Sequence, residues 1–540
     1  MRTHFPSVQM ICFMLGACLL LNINYAHAAE QITRPASQRE QPTHYNSHAQ
    51  GDLWFNDHIE RLYTNQPNTM MWQDKQATLD FEQQLADLSL AGVHPQFAHW
   101  LKMIADPAIS AQKRDRFLSD ALLGYLSYVA GVPTEGDKWL YGQARMPLNP
   151  PPTEWINSWQ QALSQHRLSE FINKLRPAHV QYQLMQQALQ AQLADHHHWP
   201  QLTNSGVLRP GMHYAQLASL QKILIQQGYL AATSQEEGQD LYNDPLVDAV
   251  KKFQRGYGIA ADGIVGGGTR QWLNITPRQK AGLIALNMQR LRLLPDDMHN
   301  GIMVNIADYT LNYYLQGKQI LTSRVIVGRP DRKTPLMRSA LNSVVLNPPW
   351  NVPTSLVRRD IFPKAQRDPH YLQQHDFTLY SDWSRDATII DPLTLNWDEL
   401  RASNFPYRVQ QNPGSKSALG RYKFNMPSSD AIYLHDTPNH TLFQRDYRAV
   451  SSGCVRVNKA AELAELLLKN VGWDKTRIND AIKQNTTRYI TIKQRIPVSL
   501  FYLSAWIDKN HQVQFRTDIY HYDKQFSDDQ NTAEIAKQFI

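Results

Sequence analysis

The stretch that decides the fold and the chemistry of this chain reads Ser451-Ser452-Gly453-Cys454-Val455-Arg456-Val457, and it follows Ile432-Tyr433-Leu434-His435-Asp436-Thr437-Pro438. The serines and the glycine predict a small, polar, flexible turn, which suits a thiol presented to a cleft. The apolar residues before His435 predict a short strand that ends at this histidine. Pairing of the strand with the turn would bring the thiol of Cys454 and the imidazole of His435 together.

The surroundings of Cys454 favour a reactive thiolate. Asn458 is predicted to cap the leucine-rich helix that follows it. Positive potential from that helix N-terminus and from Arg456 is expected to lower the pKa of the Cys454 thiol. The alternative is a structural cysteine, because a buried thiol behaves as a small apolar group.

A thiolate that attacks an amide also needs a proton carrier, and His435 is our candidate. It precedes Cys454 by 19 residues, at the end of the predicted strand. Other histidines are present, including His440 close by, so the spacing alone leaves the choice open. A hydrogen-bonded core histidine is the alternative interpretation of His435.

The N-terminus has the features of a secretory signal peptide over residues 1–28. Arg2 stands near the start, an apolar run covers Met10–Leu21, and Ala26-His27-Ala28 forms a small-residue cleavage site. The run is shorter than the roughly 20 residues that cross a bilayer. We therefore predict an exported periplasmic protein without a stable transmembrane anchor.

Cysteine usage follows from this signal. Cys12 and Cys18 lie within it, so Cys454 is the only thiol of the predicted mature chain and no intramolecular disulfide can form. The segment around Cys18 also resembles a lipoprotein cleavage box, which would make Cys18 a lipidation site, although apolar sequence continues beyond it.

Length and charge set wider limits. A chain of 540 residues predicts two to four domains. The net charge of +7 comes from 55 basic and 48 acidic residues without a dense basic tract, so we expect no nucleic-acid partner.

The hydrophobic periodicity predicts a multidomain α+β protein. After a polar tether over residues 29–52, helical spacing predicts a helical scaffold over 53–200, and a linking helix is predicted over 278–296. Alternating strands predict a mostly-β domain over 300–500, followed by a C-terminal segment over 501–540. The adjacent His196, His197 and His198 cannot all face one ion, so we predict a solvated linker and no metal site.

Between these regions, residues 207–277 predict a compact unit of helices. The glycine-rich turn Asp262–Thr269 lacks the Gly-Lys-Ser/Thr ending of a phosphate loop. Together with Val250–Gln254 before it, this turn resembles the small three-helix peptidoglycan-binding domain, with Gly267 at a position where that family often has proline.

The histidine and the Ser/Thr-x-Gly-Cys turn resemble the signature of YkuD-type L,D-transpeptidases. Many members carry histidine immediately before the glycine, where this chain has Ser452. That departure, with Asn347–Pro353 and Ala418–Arg421, is similar to the large periplasmic YcbB-like (LdtD-like) subgroup. The resemblance implies a YkuD-type catalytic domain, with a capping insertion at about residues 357–407 and no cofactor.

The resemblance also implies the roles of individual residues. Cys454 would attack the diaminopimelate carbonyl of a tetrapeptide stem in peptidoglycan, and D-alanine would leave after His435 accepts and returns a proton. A diaminopimelate amine of a second stem would then take the acyl group, and carbapenems would acylate the same thiol. The remaining roles are an oxyanion site around Gly453 and Cys454 with support from Ser452, a main-chain contact from Asp436 that orients the histidine, and a donor-stem site lined by Tyr433 and Arg456.

Two further functions stay open on the sequence. A cysteine peptidase or L,D-carboxypeptidase would transfer the same acyl group to water. A non-catalytic cell-wall-binding scaffold would keep Cys454 as a structural residue. The acceptor used by the protein is not specified by any motif.

Overall fold

Helices build the first half of the chain and strands dominate the second. The computed structural model describes residues 53–64, 70–232, 240–295, 299–524, 526 and 529–540. The predicted signal peptide and tether, with Cys12 and Cys18, lie outside these residues. None of the helices in the described part of the chain is both long and apolar enough to span a lipid bilayer.

Seven helices form the first described region. They are α1 (Asn56–Tyr63), α2 (Lys75–Ala91), α3 (Pro95–Ala105), α4 (Ala111–Leu140), α5 (Thr153–Ser164), α6 (Leu168–Lys174) and α7 (Gln181–Ala194). The Asp74 side chain accepts the amide of Ala77 at the start of α2, and Gly92 ends that helix in the left-handed conformation. The helical spacing of Phe81, Leu85 and Leu88 predicted a helix here, and all three side chains are fully buried in α2.

The next unit contains three helices, as the sequence predicted. They are α8 (Leu217–Gln226), α9 (Asp244–Gly256) and α10 (Gly267–Asn274). Gln254 of α9 holds the glycine-rich turn, because its amide nitrogen donates to the Asp262 carboxylate and the Ile264 carbonyl while its oxygen accepts the Gly263 amide at 2.8 Å. Gln254 is one of the residues that resemble the peptidoglycan-binding domain, and its role in the structure is to hold this turn.

Helix α11 (Pro277–Arg290), expected to link two regions, is itself part of the helical core. It begins with a capping box formed by Thr276 and Gln279 and is buried along most of its length. It packs against α7 and α2. Because α11 is buried on most sides, it stabilises the neighbouring helices in addition to linking two regions of the chain.

The second half of the chain adds fifteen strands and six helices among the described residues. The strands are β1 (Gly301–Asn305), β2 (Thr310–Leu315), β3 (Lys318–Gly328), β4 (Met337–Leu346), β5 (Trp350–Asn351), β6 (Phe377–Tyr380), β7 (Ile389–Ile390), β8 (Arg408–Gln411), β9 (Tyr422–Asn425), β10 (Leu434–His435), β11 (Ala449–Ser451), β12 (Val455–Val457), β13 (Arg488–Phe501), β14 (Ala505–Ile507) and β15 (Val513–Phe515). The helices are α12 (Thr354–Leu356), α13 (Phe362–Arg367), α14 (His370–Gln374), α15 (Ala460–Leu468), α16 (Lys475–Lys483) and α17 (Gln530–Ala536).

Nine of these strands form one sheet in the order β11-β3-β12-β10-β9-β4-β13-β1-β2. Because β2 also pairs with β3, the sheet closes on itself. Its interior is apolar, and α15 and α16 add leucine, isoleucine and alanine side chains to the same core. The short strands β10 and β12 lie side by side in this sheet and carry the residues of interest.

A separate small sheet, in the order β5-β8-β6-β7, lies between β4 and β9 in the chain. Helix α12 continues through a π-helical turn at Val357–Ile361 into α13. Eleven buried residues, including Val352, Phe362, Trp397 and Val409, form a core of their own there. We call the region from β5 to β8 the cap.

The C-terminal segment joins the β-domain to the helices. Its hairpin β14–β15 lies against α7 and α11, and α17 packs on α2 and α3. Fully buried Arg290 of α11 donates to Asp523 at 2.7 Å, to the carbonyl of Tyr522 at 2.8 Å and to that of Leu140 at 3.1 Å. One side chain therefore ties α4, α11 and the C-terminal segment together.

We expect Arg290→Met to lower the free energy of unfolding by about 3–5 kcal/mol, because it leaves the Asp523 carboxylate buried without its cation. Urea unfolding followed by tryptophan fluorescence measures this change. Arg488→Met, which removes an exposed arginine from β13, is the matched control. Equal midpoints for the two variants would contradict the assigned role of Arg290.

Candidate active site

Three adjacent strands bring the predicted residues to one face of the sheet. Strand β10 pairs in parallel with β12 and antiparallel with β9, so that His435 lies opposite Arg456 on one side and Lys423 on the other. The alternate positions Leu434, Val455 and Phe424 are fully buried in the core. Because successive residues of a strand face opposite sides, the histidine and the two cations share the other face.

Cys454 immediately precedes β12 and is partly exposed. The neighbouring Val455 amide donates to the carbonyl of Tyr433, which places Cys454 beside Tyr433 and two residues from the level of His435. The Cys454 Sγ atom lies 3.9 Å from the Ala431 carbonyl and is hydrogen bonded to the Tyr433 hydroxyl. The thiol is therefore held on the same face as the imidazole.

The small, polar turn before the cysteine, whose flexibility stays a prediction, is held by three hydrogen bonds in the structure. The Ser451 hydroxyl donates to the Cys454 carbonyl at 2.6 Å and accepts the Gly453 amide at 3.1 Å. The Thr334 hydroxyl donates to the Gly453 carbonyl at 2.7 Å. Gly453 has φ +121°, a conformation that residues with a side chain rarely adopt.

These contacts also change the predicted oxyanion site. The Gly453 amide is engaged by Ser451 and does not point freely at a substrate. Ser452 serves another purpose, because its hydroxyl accepts from the Arg332 guanidinium at 2.9 Å. Arg332 in turn pairs with Asp360 of the cap at 2.8 Å. Ser452 thus couples the loop of the cysteine to the cap.

The expected fall in the pKa of the Cys454 thiol is wrong. Burial raises this pKa above its ordinary value, and the hydrogen bonds from Tyr433 and the charges of Lys423 and Arg456 oppose the rise without cancelling it. The predicted helix cap is also wrong. The main-chain amide of Asn458 donates to the carbonyl of Arg324. Helix α15 begins two residues after Asn458, and Lys459 precedes it without a side-chain cap.

His435 is buried and has one defined hydrogen bond. Its Nδ1 atom lies 2.5 Å from the main-chain carbonyl oxygen of Asp436. A carbonyl can only accept, so Nδ1 carries the proton and Nε2 keeps a lone pair. Burial, helped by Arg456 and Lys423, lowers the pKa of His435 to about 3. The imidazole is therefore neutral at physiological pH and able to accept a proton.

Asp436 supports this histidine through its main chain, while its carboxylate fixes the end of β10. The carboxylate accepts the Arg421 amide at 2.8 Å and lies 3.4 Å from Nε2 of His440. Gly420 makes this approach feasible, because it has φ +61° and a Cβ there would overlap the Asp436 carboxylate. The Ala418–Arg421 motif therefore acts on the site through Asp436.

Two cations and a tyrosine complete the face. Tyr433 receives a hydrogen bond from Trp350 of the cap, and Lys423 Nζ lies 4.1 Å from the centre of the Tyr433 ring. The sequence did not identify Lys423. The signal available was the alternation of Tyr422-Lys423-Phe424-Asn425, in which a strand with an apolar core face also carries a lysine on its other face.

The side chains on the site face are of the types that acyl transfer uses. Within the described ranges, no three His, Cys, Asp or Glu side chains are grouped as an ion would require. His197, one of the three adjacent histidines, lies with Nδ1 2.7 Å from the Asp195 carboxylate. A thiol, a neutral imidazole with a free lone pair and two cations are the groups that the site face offers.

Comparison with known proteins matches three parts of the chain. Residues 299–479 match the family described as "L,D-transpeptidase catalytic domain", residues 57–189 match "Scaffold domain", and residues 213–273 match "Putative peptidoglycan binding domain". A protein of Haemophilus influenzae (strain Rd) named "Putative L,D-transpeptidase" is 34% identical over 499 residues, which cover 92% of this chain and 84% of that protein.

The close approach at Gly420 predicts a specific stability difference. Gly420→Ala introduces both a left-handed alanine and an overlap with the Asp436 carboxylate, whereas Gly472→Ala introduces a left-handed alanine with open space around it. We expect Gly472→Ala to cost about 1–2 kcal/mol and Gly420→Ala to cost about 1–3 kcal/mol more. Urea unfolding of both variants measures the difference, and equal costs would contradict the overlap.

The raised thiol pKa predicts slow alkylation in the folded state. Iodoacetamide reacts with the thiolate, so the midpoint of the rate against pH should lie above the ordinary thiol value of about 8.5. At pH 8 the folded chain lacking residues 1–28 should therefore react more slowly than the same chain unfolded in urea.

Tyr433→Phe should move this midpoint further upward, because it removes a hydrogen bond that lowers the pKa of Cys454. Tyr489→Phe alters a tyrosine that is 70% exposed and serves as the control. A midpoint at or below the ordinary value in the folded chain would show that the cations outweigh burial.

Proposed function

The chain belongs to the L,D-transpeptidase family, and from that membership we propose that it cross-links peptidoglycan stems through a thioester on Cys454. The donor is a tetrapeptide stem, the bond cleaved joins diaminopimelate to the terminal D-alanine, and the product joins two diaminopimelates. The observation that carries the proposal is the hydrogen bond from Nδ1 of His435 to the Asp436 carbonyl, which leaves Nε2 to accept a proton on the face that carries Cys454.

The first half-reaction forms the thioester. Sγ of Cys454 attacks the diaminopimelate carbonyl carbon as the thiol proton moves to Nε2 of His435. The bond between that carbon and the D-alanine nitrogen then breaks, and His435 returns the proton to the leaving amine. Because the pKa of the thiol is raised and that of the imidazole is lowered, we expect proton transfer to accompany the attack and not to precede it.

The second half-reaction releases the cross-linked product. The side-chain amine of a second stem attacks the thioester carbon, the bond to sulfur breaks, and the amine proton passes through His435 back to the thiol. A carbapenem would stop the cycle by leaving an acyl group on the same sulfur. No cofactor takes part in either step.

The negative oxygen formed during attack needs donors close to Cys454. Since the Gly453 amide is occupied by Ser451, we assign the Cys454 amide and the Tyr433 hydroxyl to this task. Burial keeps the pKa of Tyr433 well above its usual range, so the hydroxyl retains its proton and can donate. Each such donor contributes about 3–4 kcal/mol to stabilising a transition state.

The remaining regions place this reaction at the cell wall in our proposal. The three-helix unit would bind peptidoglycan, and the cap would cover the substrate from the side of Trp350 and Asp360. Export to the periplasm through residues 1–28 is part of the same proposal. The mature enzyme would then work among its polymeric substrate with one thiol.

Incubation with purified disaccharide tetrapeptide tests the proposal. We expect dimers joined through diaminopimelate together with free D-alanine, and an added mass of one carbapenem on the intact protein after treatment with the drug. Tripeptide without dimers would instead support the carboxypeptidase. Neither product, with no carbapenem adduct, would support the wall-binding scaffold.

His435→Ala should lower the rate of acylation by about 100- to 10,000-fold, the contribution of a general base. Cys454→Ala should abolish it. His197→Ala, which removes an exposed histidine outside the β-domain, should leave the rate unchanged. Near-normal acylation by His435→Ala, measured by intact mass, would move the role of the base to another residue.

A further inference from the structure

Two partly buried cations flank His435 without a carboxylate partner among the described residues, and the acidic group that interacts with both is the thiol of Cys454. Lys423 and Arg456 lie opposite His435 on β9 and β12, so the three side chains follow one another across three strands. None of the ion pairs formed by the described residues includes Lys423 or Arg456. Nε of Arg456 is buried with no hydrogen-bond partner among the described atoms.

Such an arrangement is costly for an unliganded protein. A charge taken out of water loses hydration, and without an opposite charge nearby this loss is not recovered. Here burial lowers the pKa of both Lys423 and Arg456. Two like charges kept together in a half-buried face indicate a ligand that supplies negative charge.

We propose that Lys423 and Arg456 bind two carboxylates of the donor stem, one on each side of His435, and that Lys423 is a substrate-binding residue of this enzyme. The inference rests on the proposed function for the identity of the donor. A tetrapeptide carries one carboxylate on the departing D-alanine and another on the diaminopimelate side chain, so both flank the bond that breaks. The site then requires an anionic group on each side of the scissile bond.

Binding of these carboxylates would also alter the base. Lys423 and Arg456 both lower the pKa of His435, so an anion beside either cation weakens that effect. The imidazole accepts a proton more readily once the donor is in place. A thiol whose base strengthens on substrate binding reacts preferentially with the correct donor, which favours specificity for stems over other amides.

The stem of Lys423 is held independently of its charge. Its Nζ lies over the Tyr433 ring, and the strand around it is fixed by pairing with β4 and β10. Lys423→Met keeps an unbranched side chain that is shorter by one atom and removes the charge, so we expect it to fold. Lys423→Arg keeps the charge. Lys318→Met, which removes an exposed lysine at the first position of β3, is the matched control.

The first experiment does not depend on the natural reaction. Iodoacetate and iodoacetamide alkylate a thiol by the same displacement of iodide and differ in charge, and Cys454 is the only cysteine in a chain lacking residues 1–28. The ratio of their rates therefore reports how strongly the site attracts a carboxylate. We expect Lys423→Met to lower this ratio by about three- to tenfold, whereas Lys423→Arg and Lys318→Met leave it near the wild-type value.

The second experiment identifies the carboxylate. Acylation rates are compared for the tetrapeptide donor, a donor with a C-terminal carboxamide and a donor amidated on the diaminopimelate side chain. Amidation of the carboxylate that Lys423 binds should slow acylation of the wild type and leave that of Lys423→Met nearly unaffected. With the unmodified donor, the lower activity of Lys423→Met should appear mainly as a higher KM.

An unchanged iodoacetate ratio in folded Lys423→Met would overturn the proposal, as would equal sensitivity of wild type and variant to both amidations. Failure of the proposed function gives a different result. The wild-type protein would then form no thioester with any donor, but the ratio of its alkylation rates could still be measured. Thermal unfolding of each variant verifies that it is folded.

Discussion

The parallel register between β10 and β12 is the constraint on which the site depends. With Leu434 opposite Val455 and His435 opposite Arg456, every second residue enters the core and the others meet on the outer face. A slip by one residue would put the imidazole in the core and a leucine beside the thiol. The buried leucine, valine and phenylalanine side chains of these strands thus fix the positions of the polar groups on the other face.

Burial governs the electrostatics of this face more strongly than its charges do. It raises the pKa of the thiol and lowers the pKa values of the imidazole, the lysine and the arginine. The site therefore keeps a neutral thiol beside a neutral imidazole. For a protein working in an oxidising compartment, as we propose, a protonated thiol resists the oxidation to which a permanent thiolate is exposed.

The sequence predicted the class of fold, the three-helix unit and the two elements that carry Cys454 and His435, because these depend on local periodicity and on short motifs. It did not predict what depends on contacts between distant segments. Lys423 reaches the site only through the antiparallel register of β9 with β10. Thr334 and Arg332, in the loop after β3, hydrogen bond to Gly453 and Ser452 of the turn, and no local pattern around Cys454 reveals these contacts.

The sequence predicted a lowered pKa for the Cys454 thiol, and this prediction was wrong for a related reason. The sequence shows an arginine and a following helix, and both would favour a thiolate in water. It does not show how much solvent the finished fold removes, nor that β12 separates the cysteine from α15. Charge can be read from a residue, whereas desolvation belongs to the assembled domain.

The return of α17 to α2 and α3 has a consequence for how the chain acquires its structure. Gln190 of α7 donates to the main-chain oxygen of Ile540, 350 positions later, so the early helices make part of their contacts with residues from the other end of the described chain. Contacts of such long separation slow folding, because a large loop must close before they form. Full assembly of the helical region therefore has to wait until the whole intervening β-domain has been synthesised.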